Sequence, residues 1–348
     1  MTSDMRAVLV AALGEAPTIS TKPVPVLGTV SIPGFPIEGP LVPPRAPGPH
    51  PASLVEVEYA SINPIDLHVA SGHFFQGTPQ VPYVPGVEGV GRIVESESLP
   101  AGTKVRFELG HPGYGADGAM AELAAVDDAG LVELSGSVSE AEAAALGVSF
   151  VTAARALDLA EVAEGETVLI LGASGAIGKI AVQLARHAGA GRVIAAGRRP
   201  DRLERAVELG ADACVSIQGK STDQLTAEFR EAGGGGVDVV IDPIWGEPAL
   251  AALAASNFGG RLVNFGQAGG SIATVSSLPL RNHRATIKGI STAMDGFELR
   301  RSRYLNGLEL LAHGKLVVDH RVFAIDDIAE AWTAQQESPG VRLVVKIR

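Results

Sequence analysis

The sequence predicts an α/β protein built from a doubly wound parallel sheet and a second, β-rich domain. Two observations carry this prediction. From Thr167 onwards, short apolar runs alternate with amphipathic helical stretches, a pattern typical of βαβ units and a parallel sheet. About the first 135 residues instead show short runs in which apolar and polar residues alternate, as in half-buried strands joined by tight turns. Because 348 residues exceed the usual size of one hydrophobic core, we expect two domains.

The charge balance and the apolar runs exclude several classes of partner. With 28 Lys and Arg against 39 Asp and Glu, the net charge is −11, so we expect neither nucleic acid nor a membrane surface as a partner. The sequence has no uninterrupted stretch of about 18 apolar residues, so we expect no membrane-spanning helix. The Met1–Val10 segment carries charged residues and is unlike a signal peptide. We therefore expect a cytoplasmic protein. Cys214 is the only cysteine, which excludes an intrachain disulfide and a cysteine-rich metal site.

The β-rich part begins with several predicted strands, at Met5–Ala12, Leu54–Ala60, Gly86–Glu95 and Thr103–Glu108. The stretch from Pro23 to Pro51 holds too much proline and glycine for a helix or a central strand. Its role stays open between a surface loop without function, a cover over a cleft and a contact with a second subunit. Ser139 and Glu142 resemble a capping box, which predicts a helix running to about Ala160 and connecting the two domains.

The parallel sheet is predicted from five apolar runs separated by helices and a sixth strand at the edge: Val168–Leu171, Val193–Ala196, Ala213–Ser216, Val237–Ile241, Arg261–Phe265 and Thr286–Ile290. The remainder of the chain predicts two helices and a closing strand, around Ser302–His313, Ile325–Gln335 and Val341–Ile347.

A glycine-rich loop between the first of these strands and its helix predicts a dinucleotide site. Gly172-Ala173-Ser174-Gly175-Ala176-Ile177-Gly178 follows the strand and opens the helix, which is the context such a loop requires. Gly175 lets the backbone approach a pyrophosphate, Gly178 permits close packing of helix on strand, and the helix N-terminus offers free N–H groups. We take Ser174, Gly175, Ala176, Ile177 and Gly178 as cofactor-binding residues. The alternative is a glycine-rich turn that binds nothing.

The end of the second strand favours NADPH over NADH. An NAD site usually carries Asp or Glu at this point to accept from the ribose 2′-OH, whereas an NADP site carries Arg near the 2′-phosphate. Here the strand ends in Gly197-Arg198-Arg199, with no acidic residue before Asp201. Arg can bind a phosphate through two charge-assisted hydrogen bonds. The alternative is that Arg198 and Arg199 are solvated loop residues.

Four stretches together resemble the medium-chain dehydrogenase/reductase superfamily over nearly the whole chain: Ser61-Ile62-Asn63-Pro64-Ile65-Asp66, Val84-Pro85-Gly86-Val87-Glu88-Gly89-Val90-Gly91, Gly172–Gly178 with Gln183-Leu184-Ala185, and Gly235–Asp242. The resemblance implies a GroES-like β-rich catalytic domain interrupted by a Rossmann domain, with the active site in the cleft between them. We place the first part of the catalytic domain at 1–150, the NADP-binding domain at 151–290 and the return to the catalytic domain at 291–348. A homodimer is usual for the family.

The residues at the metal positions of the family predict a zinc-free member. Zinc-dependent relatives carry Cys at the start of the first stretch, Gly-His-Glu in the second and a further ligand before the cofactor domain. This chain has Asn63, Val87 and Val148 near those places. Without thiolate and imidazole ligands no Lewis acid is available to lower the pKa of an alcohol. His68, His73 and His111 are interpreted as loop histidines.

The resemblance also implies the chemistry. Zinc-free relatives deliver hydride from NADPH to a quinone or an electron-poor C=C bond, so the enzyme mainly aligns donor and acceptor and excludes water. Asn63 would then lie beside the nicotinamide ribose or a substrate oxygen, and Asp66 stands where some quinone reductases carry Tyr. We take both as candidate catalytic residues, although Asp66 and Glu88 are equally interpreted as holding a backbone turn. Thr152 and Asn264-Phe265-Gly266 would line the nicotinamide site.

Three functions stay open. The first is an NADPH-dependent reductase of quinones, enones or enals, acting on a small electron-poor acceptor. The second is an enoyl thioester reductase of a biosynthetic pathway. The third, from another class, is a non-catalytic NADPH-binding redox sensor, which would bind the cofactor tightly and oxidise it with no acceptor.

Overall fold

The computed structural model of the chain describes residues 4–27, 30–31, 49–74, 77–111, 113 and 116–348. Most of the stretch from Pro23 to Pro51, whose role the sequence leaves open, lies outside these residues. The chain divides into two compact units. We call Met1–Val148 with Ala293–Arg348 the β-rich unit, and Ser149–Thr292 the parallel-sheet unit.

The first part of the β-rich unit consists of strands and the helix α1: β1 (Asp4–Leu9), β2 (Thr18–Pro23), β3 (Val30–Ser31), β4 (Pro49–His50), β5 (Ala52–Ile62), α1 (Pro64–Ala70), β6 (Glu88–Glu95), β7 (Lys104–Glu108), β8 (Leu123–Asp127) and β9 (Leu131–Glu133). Helix α2 (Glu140–Ala160) belongs to the β-rich unit up to Val148 and to the parallel-sheet unit from Ser149. Strands and helices then alternate: β10 (Thr167–Leu171), α3 (Ala176–His187), β11 (Arg192–Gly197), α4 (Pro200–Glu208), β12 (Ala213–Ser216), α5 (Thr222–Ala232), β13 (Val237–Asp242), α6 (Gly246–Ala254), β14 (Ser256–Asn264), α7 (Ser277–Asn282) and β15 (Thr286–Gly289). The last elements are α8 (Phe297–Ala312), β16 (His320–Ala324), α9 (Ile328–Gln336) and β17 (Arg342–Lys346).

The parallel-sheet unit, all of whose residues are described, is a six-stranded sheet in the order β12-β11-β10-β13-β14-β15. Every neighbouring pair is parallel. The chain therefore starts in the middle at β10, winds outwards to β12, and returns to β13 to wind outwards the other way. This confirms the predicted doubly wound sheet, and the reversal between β10 and β13 is a topological switch point, where such sheets bind ligands.

The interior of this unit explains why its strands are continuous apolar runs. Residues of β10 and β13 are buried along almost their whole length, as expected for parallel strands covered by helices on both faces. On one face, Leu169, Ile194 and Val240 pack with Phe229 of α5 and Leu253 of α6. The fully buried side chains in this cluster each contribute roughly 1.5–3 kcal/mol through removal of apolar surface from water.

The β-rich unit is organised around a sheet in the order β16-β17-β5-β6-β7-β9, with β8 also paired to β5. The pairing is antiparallel except between β16 and β17. Since β17 pairs with β5 at Leu343 and Ile62, the end of the chain completes a sheet begun by its first part. Phe107 of β7 and Trp332 of α9 lie in the apolar core that α1 and α9 cover.

Helix α2 contains a break that the sequence does not predict. Its first turn carries the predicted capping box, in which the Ser139 N–H donates to Glu142 Oε2 at 3.1 Å and the Glu142 N–H donates to Ser139 Oγ at 3.3 Å. At Gly147 the backbone leaves the helix, with φ 26° and ψ −142°. Among the described residues α2 is the one helix long and apolar enough to cross a membrane, but 72% of its most apolar stretch is buried within the protein, as in a core helix.

Several predicted bounds are wrong by a few residues. Helix α8 begins at Phe297 and not near Ser302, because its first turn mixes apolar and charged residues without a clear period. Strand β14 begins at Ser256, earlier than the predicted Arg261, since Gly259 and Gly260 interrupt the apolar pattern without ending the strand. The second predicted helix of the last part begins as a 3₁₀ turn at Ile325–Asp327.

Candidate functional site

The glycine loop lies at the carboxyl end of β10 and opens α3 with unpaired backbone donors. Gly175 is the N-cap and has no side chain to accept from the first turn. The Lys179 N–H already bonds Gly175 O at 3.0 Å, which leaves the N–H groups of Ala176, Ile177 and Gly178 without partners in the helix. A Cβ on Gly178 would lie 2.3 Å from Gly172 O and 2.6 Å from Ala173 Cα, so only glycine allows the helix this close to the loop.

The end of β11 meets the same loop. A Cβ on Gly197 would lie 2.9 Å from Ser174 Oγ, so the two segments are in contact. Beyond Gly197, both Arg198 and Arg199 are exposed. Arg199 occupies the N-cap position of α4 without a side-chain cap bond, and its Nε lies 3.6 Å from Asp201 Oδ1 in a loose ion pair. Within the described part of the chain no hydrogen bond or ion pair involves Arg198, so its guanidinium is available to an anion.

The third predicted segment, Asn264-Phe265-Gly266, is held in place by Asp242 at the end of β13. The Asn264 Nδ2 group donates to Asp242 Oδ2 and to Gly266 O, both at 2.8 Å. The Phe265 N–H donates to Asp242 O at 3.0 Å. Asp242 is completely buried, and burial raises the pKa of its carboxyl while bonds from Trp245, Asn264 and Ile244 oppose that shift.

The structure thus brings three of the predicted segments to one edge of the sheet. They follow β10, β11 and β14, and the turn after β13 lies among them, since a Cβ on Gly172 would lie 3.1 Å from Pro243 Cγ. Because all these strands are parallel, their carboxyl ends form a single edge on both sides of the switch point. Thr152 belongs to α2 of the same unit, where its Oγ1 lies 3.5 Å from Thr292 Oγ1, and its described hydrogen bonding does not join it to the glycine loop.

The two predicted catalytic residues lie in the β-rich unit, between β5 and α1. Asn63 is the N-cap of α1 and is 3% exposed, and its N–H donates to Asp66 Oδ2 at 2.7 Å. The Asn63 Nδ2 group donates to Glu88 Oε1 at 3.3 Å and to Ser61 O at 3.4 Å. Both neighbours of this amide nitrogen are acceptors, which defines the orientation of the amide. Asn63 Oδ1 accepts from the backbone N–H of Asp66 in the capping box of α1, and its second lone pair remains as an acceptor for a ligand.

Asp66 is completely buried and its second oxygen, Oδ1, has no hydrogen-bond partner. Burial, with a smaller contribution from the nearby charge of Glu88, raises the pKa of Asp66 to about 7 even though the bond from the Asn63 N–H lowers it. Asp66 is therefore about half protonated near pH 7.

Glu88 is the centre of a buried ionic cluster. Its Oε2 accepts from Arg106 Nη2 at 2.9 Å and from the Val148 N–H at 2.8 Å, while its Oε1 accepts from Arg342 Nη2 at 3.2 Å and from the Asn63 amide. An ionised carboxylate has about four lone-pair directions, so these four donors satisfy it. Glu88 and the two guanidinium groups are each 4% exposed or less.

The same cluster replaces the backbone bonds that the break in α2 removes. The carbonyls of Ala143, Ala144 and Ala145 accept from Tyr304 OH at 2.8 Å, Ser61 Oγ at 2.7 Å and Arg342 Nε at 3.1 Å. A Cβ on Gly147 would lie 2.3 Å from Glu88 Oε2, so glycine is required for the carboxylate to reach the broken turn.

Sequence reasoning missed the residues that support the site: Asp242, Arg106, Arg342, Tyr304 and Gly147. Asp242 had a signal, since it directly follows the predicted strand Val237–Ile241 and ends the stretch Gly235–Asp242. The partners of Glu88 had none, because Arg342 lies 254 residues further along the chain. Of the three histidines interpreted as loop residues, His68 instead lies in the last turn of α1. His68 and His73 are exposed, and His111 is buried, which lowers its pKa to about 4. Among the described residues no group of three or more His, Cys, Asp or Glu side chains is arranged to hold a metal ion.

Two family models match the chain. Residues 49–136 match the alcohol dehydrogenase GroES-like domain, and residues 176–312 match the zinc-binding dehydrogenase model. Quinone oxidoreductase-like protein 2 of Bos taurus is 35% identical over 239 residues, which covers 67% of this chain and 66% of that protein. The chloroplastic NADPH-dependent alkenal/one oxidoreductase of Arabidopsis thaliana is 28% identical over 198 residues, covering 55% of this chain and 49% of that protein.

A solved structure agrees in fold over almost the whole chain. The mycobacterial protein whose structure is complexed with NADPH has a TM-score of 0.80 at 22% identity, with 98% of this chain and 99% of that chain covered. The GroES-like match falls in the β-rich unit and the second match covers most of the parallel-sheet unit. The chain belongs to the medium-chain dehydrogenase/reductase superfamily of oxidoreductases, and within it to the quinone oxidoreductase-like type.

Proposed function

We propose that the chain is an NADPH-dependent reductase that transfers hydride to a quinone or an electron-poor C=C bond without zinc. The observation that carries this proposal is the carboxyl edge of the parallel sheet, where a glycine loop with unpaired N–H groups lies beside an unpaired, exposed arginine. The names of the bovine and Arabidopsis relatives support the acceptor class.

The residues at this edge fit a nicotinamide dinucleotide with a 2′-phosphate. The N-terminus of α3 combines three free N–H groups with the partial positive charge of the helix, which suits a pyrophosphate. Arg198 supplies a cation where an NADH site would carry an acid. Because Arg199 already has a partner in Asp201, we assign the main role in binding the 2′-phosphate to Arg198.

Zinc does not fit the residues of this chain, although the matching family model is named for zinc-binding dehydrogenases. Asn63 and Val87 offer neither a thiolate nor an imidazole. Glu88 already accepts from four donors in a buried cluster. In the described part of the chain no three or more His, Cys, Asp or Glu side chains are grouped as metal ligands.

Asn63 fits a partner that donates a hydrogen bond. Its amide nitrogen faces Glu88 and Ser61 O, so the group left for a ligand is the Oδ1 acceptor. A ribose hydroxyl can donate to it, whereas the carbonyl oxygen of a quinone or enone cannot. Of the two partners that the resemblance implies, we therefore propose the nicotinamide ribose. Bound NADPH would supply the hydride, and Asn63 would fix the position of its ribose relative to the acceptor.

The proposed function is tested by measuring NADPH oxidation with the purified chain against quinones, enones, enals and enoyl thioesters, with NADH in parallel and with EDTA present. We expect turnover with at least one quinone, enone or enal, a preference for NADPH, and no loss in EDTA. Turnover confined to enoyl thioesters would favour the biosynthetic reductase instead. Tight NADPH binding without oxidation by any acceptor would favour the redox sensor.

The role of Asn63 has its own test. Asn63→Ala should lower turnover while the protein still binds NADPH. Unchanged turnover in a variant that binds NADPH would refute the role.

We further propose a cytoplasmic homodimer that uses the free edge of the parallel sheet. Strand β15 ends the sheet, and no other strand of this fully described unit pairs with its outer side. Ile287 on β15 is 36% exposed and Phe258 is 70% exposed. Unpaired edges with apolar side chains favour pairing with a second chain. Light scattering after size exclusion should give twice the monomer mass, and Ile287→Lys should lower it.

A further inference from the structure

Trp245 combines a strained backbone with a position at the cofactor edge. Its φ of 60° and ψ of −165° lie in a region that is essentially restricted to glycine. Such strain persists only where surrounding bonds determine the conformation, and it is concentrated at ligand sites.

The bonds that determine this conformation come from the end of β13. Asp242 Oδ1 accepts from the N–H groups of Ile244 and Trp245 at 2.9 and 2.8 Å. The following segment closes the turn from the other side, because the Gly269 N–H donates to Ile244 O at 2.7 Å. The turn is thus held by the same carboxylate that holds Asn264.

Trp245 lies at the topological switch point of the parallel sheet, in the turn that follows β13. Strand β13 is the neighbour of β10 on the other side of the chain reversal. Pro243 and Ile244 contact Gly172 at the start of the glycine loop, with Ile244 Cγ1 3.5 Å from a Cβ built on that glycine. Trp245 is the next residue and is half-buried, packed in part against the core of the unit.

We propose that the Trp245 side chain contacts the bound dinucleotide and contributes to its affinity. Indole is a flat apolar surface with one donor, suited to the ring systems of a dinucleotide. The inference rests on the proposed dinucleotide binding.

The test uses the full chain and two independent measurements. Trp245→Gly removes the indole and supplies the residue that the backbone conformation favours. Calorimetric titration with NADP⁺ should give a Kd at least about fivefold higher than that of the wild type, the lower end of what stacking on an aromatic side chain contributes. Trp245→Phe should lose less affinity than Trp245→Gly. Leu305→Ala, at an exposed apolar residue of α8 in the β-rich unit, is the control and should leave the Kd unchanged.

The second measurement does not depend on a change at 245. The chain has two tryptophans, and Trp332 is buried in the β-rich unit. In a Trp332→Phe background the emission therefore comes from Trp245 alone, and NADP⁺ should shift it and protect it from quenching by acrylamide. The inference would be overturned if Trp245→Gly bound NADP⁺ within about twofold of the wild-type affinity and NADP⁺ did not protect Trp245 from acrylamide quenching. That result would leave the proposed function intact. If the wild-type chain bound neither NADP⁺ nor NADPH, the proposed function would fail.

Discussion

Glu88→Gln tests whether the buried ionic cluster holds the β-rich unit together. The substitution preserves the size of the side chain and removes its charge. Arg106 keeps a second carboxylate, since its Nη1 lies 3.1 Å from Glu108 Oε2. Arg342, 4% exposed, would lose the one carboxylate to which its described side-chain hydrogen bonds reach, while its Nε would still donate to the carbonyl of Ala145. The new amide must also point its NH₂ group at two of the four donors that now surround the carboxylate. Because NH₂ is itself a donor, it cannot accept from them.

The expected effect is large because a charge is left buried without its partner. Removing one member of a buried ion pair costs about 3–5 kcal/mol of unfolding free energy. For a unit of this size, that corresponds to a fall in Tm of roughly 6–20 °C. Circular dichroism during heating of the full chain measures it. Glu330→Gln is the matched control, because Glu330 pairs with Arg321 at 2.8 Å on the surface, with both side chains more than half exposed. A Tm for Glu88→Gln no lower than that of the control would refute the reasoning.

Three further predictions concern the cofactor edge and Asp66. In fluorescence titrations, Arg198→Ala should weaken NADPH binding at least about tenfold and leave NADH binding unchanged, and Arg199→Ala should have a smaller effect. An unchanged ratio of NADPH affinity to NADH affinity in Arg198→Ala would contradict this. Gly178→Ala should abolish NADPH binding, because the new Cβ would lie 2.3 Å from Gly172 O. Gly289→Ala is the control and should bind NADPH normally, because a Cβ at Gly289 meets no atom within 4 Å. Normal binding by both variants would refute the requirement for glycine at 178. Burial raises the pKa of Asp66 from 3.8 to about 7, so between these values the folded protein holds a proton that the unfolded chain releases. The resulting contribution to stability therefore decreases as the pH rises from about 4 to about 7. Urea unfolding at several pH values should give Asp66→Asn a flatter profile than the wild type and greater stability above pH 7, and parallel profiles would count against the raised pKa.

The fold was accessible from the sequence because its signals are local. Buried parallel strands are apolar along their length, and the turns between strand and helix carry glycine, as at Gly172–Gly178. The capping box at Ser139 and Glu142 is also a local pattern, and the structure has both of its hydrogen bonds. The break at Gly147 was not accessible, because the apolar residues continue through it and the atoms that replace its backbone bonds come from Ser61, Tyr304 and Arg342.

Some residues of the candidate site can likewise be predicted from local patterns, and others cannot. The glycine loop and Arg198 are short motifs next to recognisable strands, so the sequence alone indicates them. The strain at Trp245 depends on bonds from Asp242 that no local pattern predicts. A buried glutamate in the sequence Val87-Glu88-Gly89 looks the same whether it binds a metal, donates a proton or pairs with an arginine. Only the positions of its partners separate these roles.

The ionic cluster also connects the stability of the β-rich unit to its chemistry. Glu88 determines which end of the Asn63 amide is free, because a carboxylate accepts and so requires the amide nitrogen to face it. A glutamine at 88 turns its NH₂ group either towards Asn63 and Arg342 or towards Arg106 and the Val148 N–H. In the first orientation it allows the asparagine amide to reverse. The free group of Asn63 would then be a donor, which suits a carbonyl oxygen and no longer a ribose hydroxyl. We therefore propose Glu88 as a positioning residue for Asn63, and Glu88→Gln should weaken NADPH binding even at temperatures where the variant is fully folded.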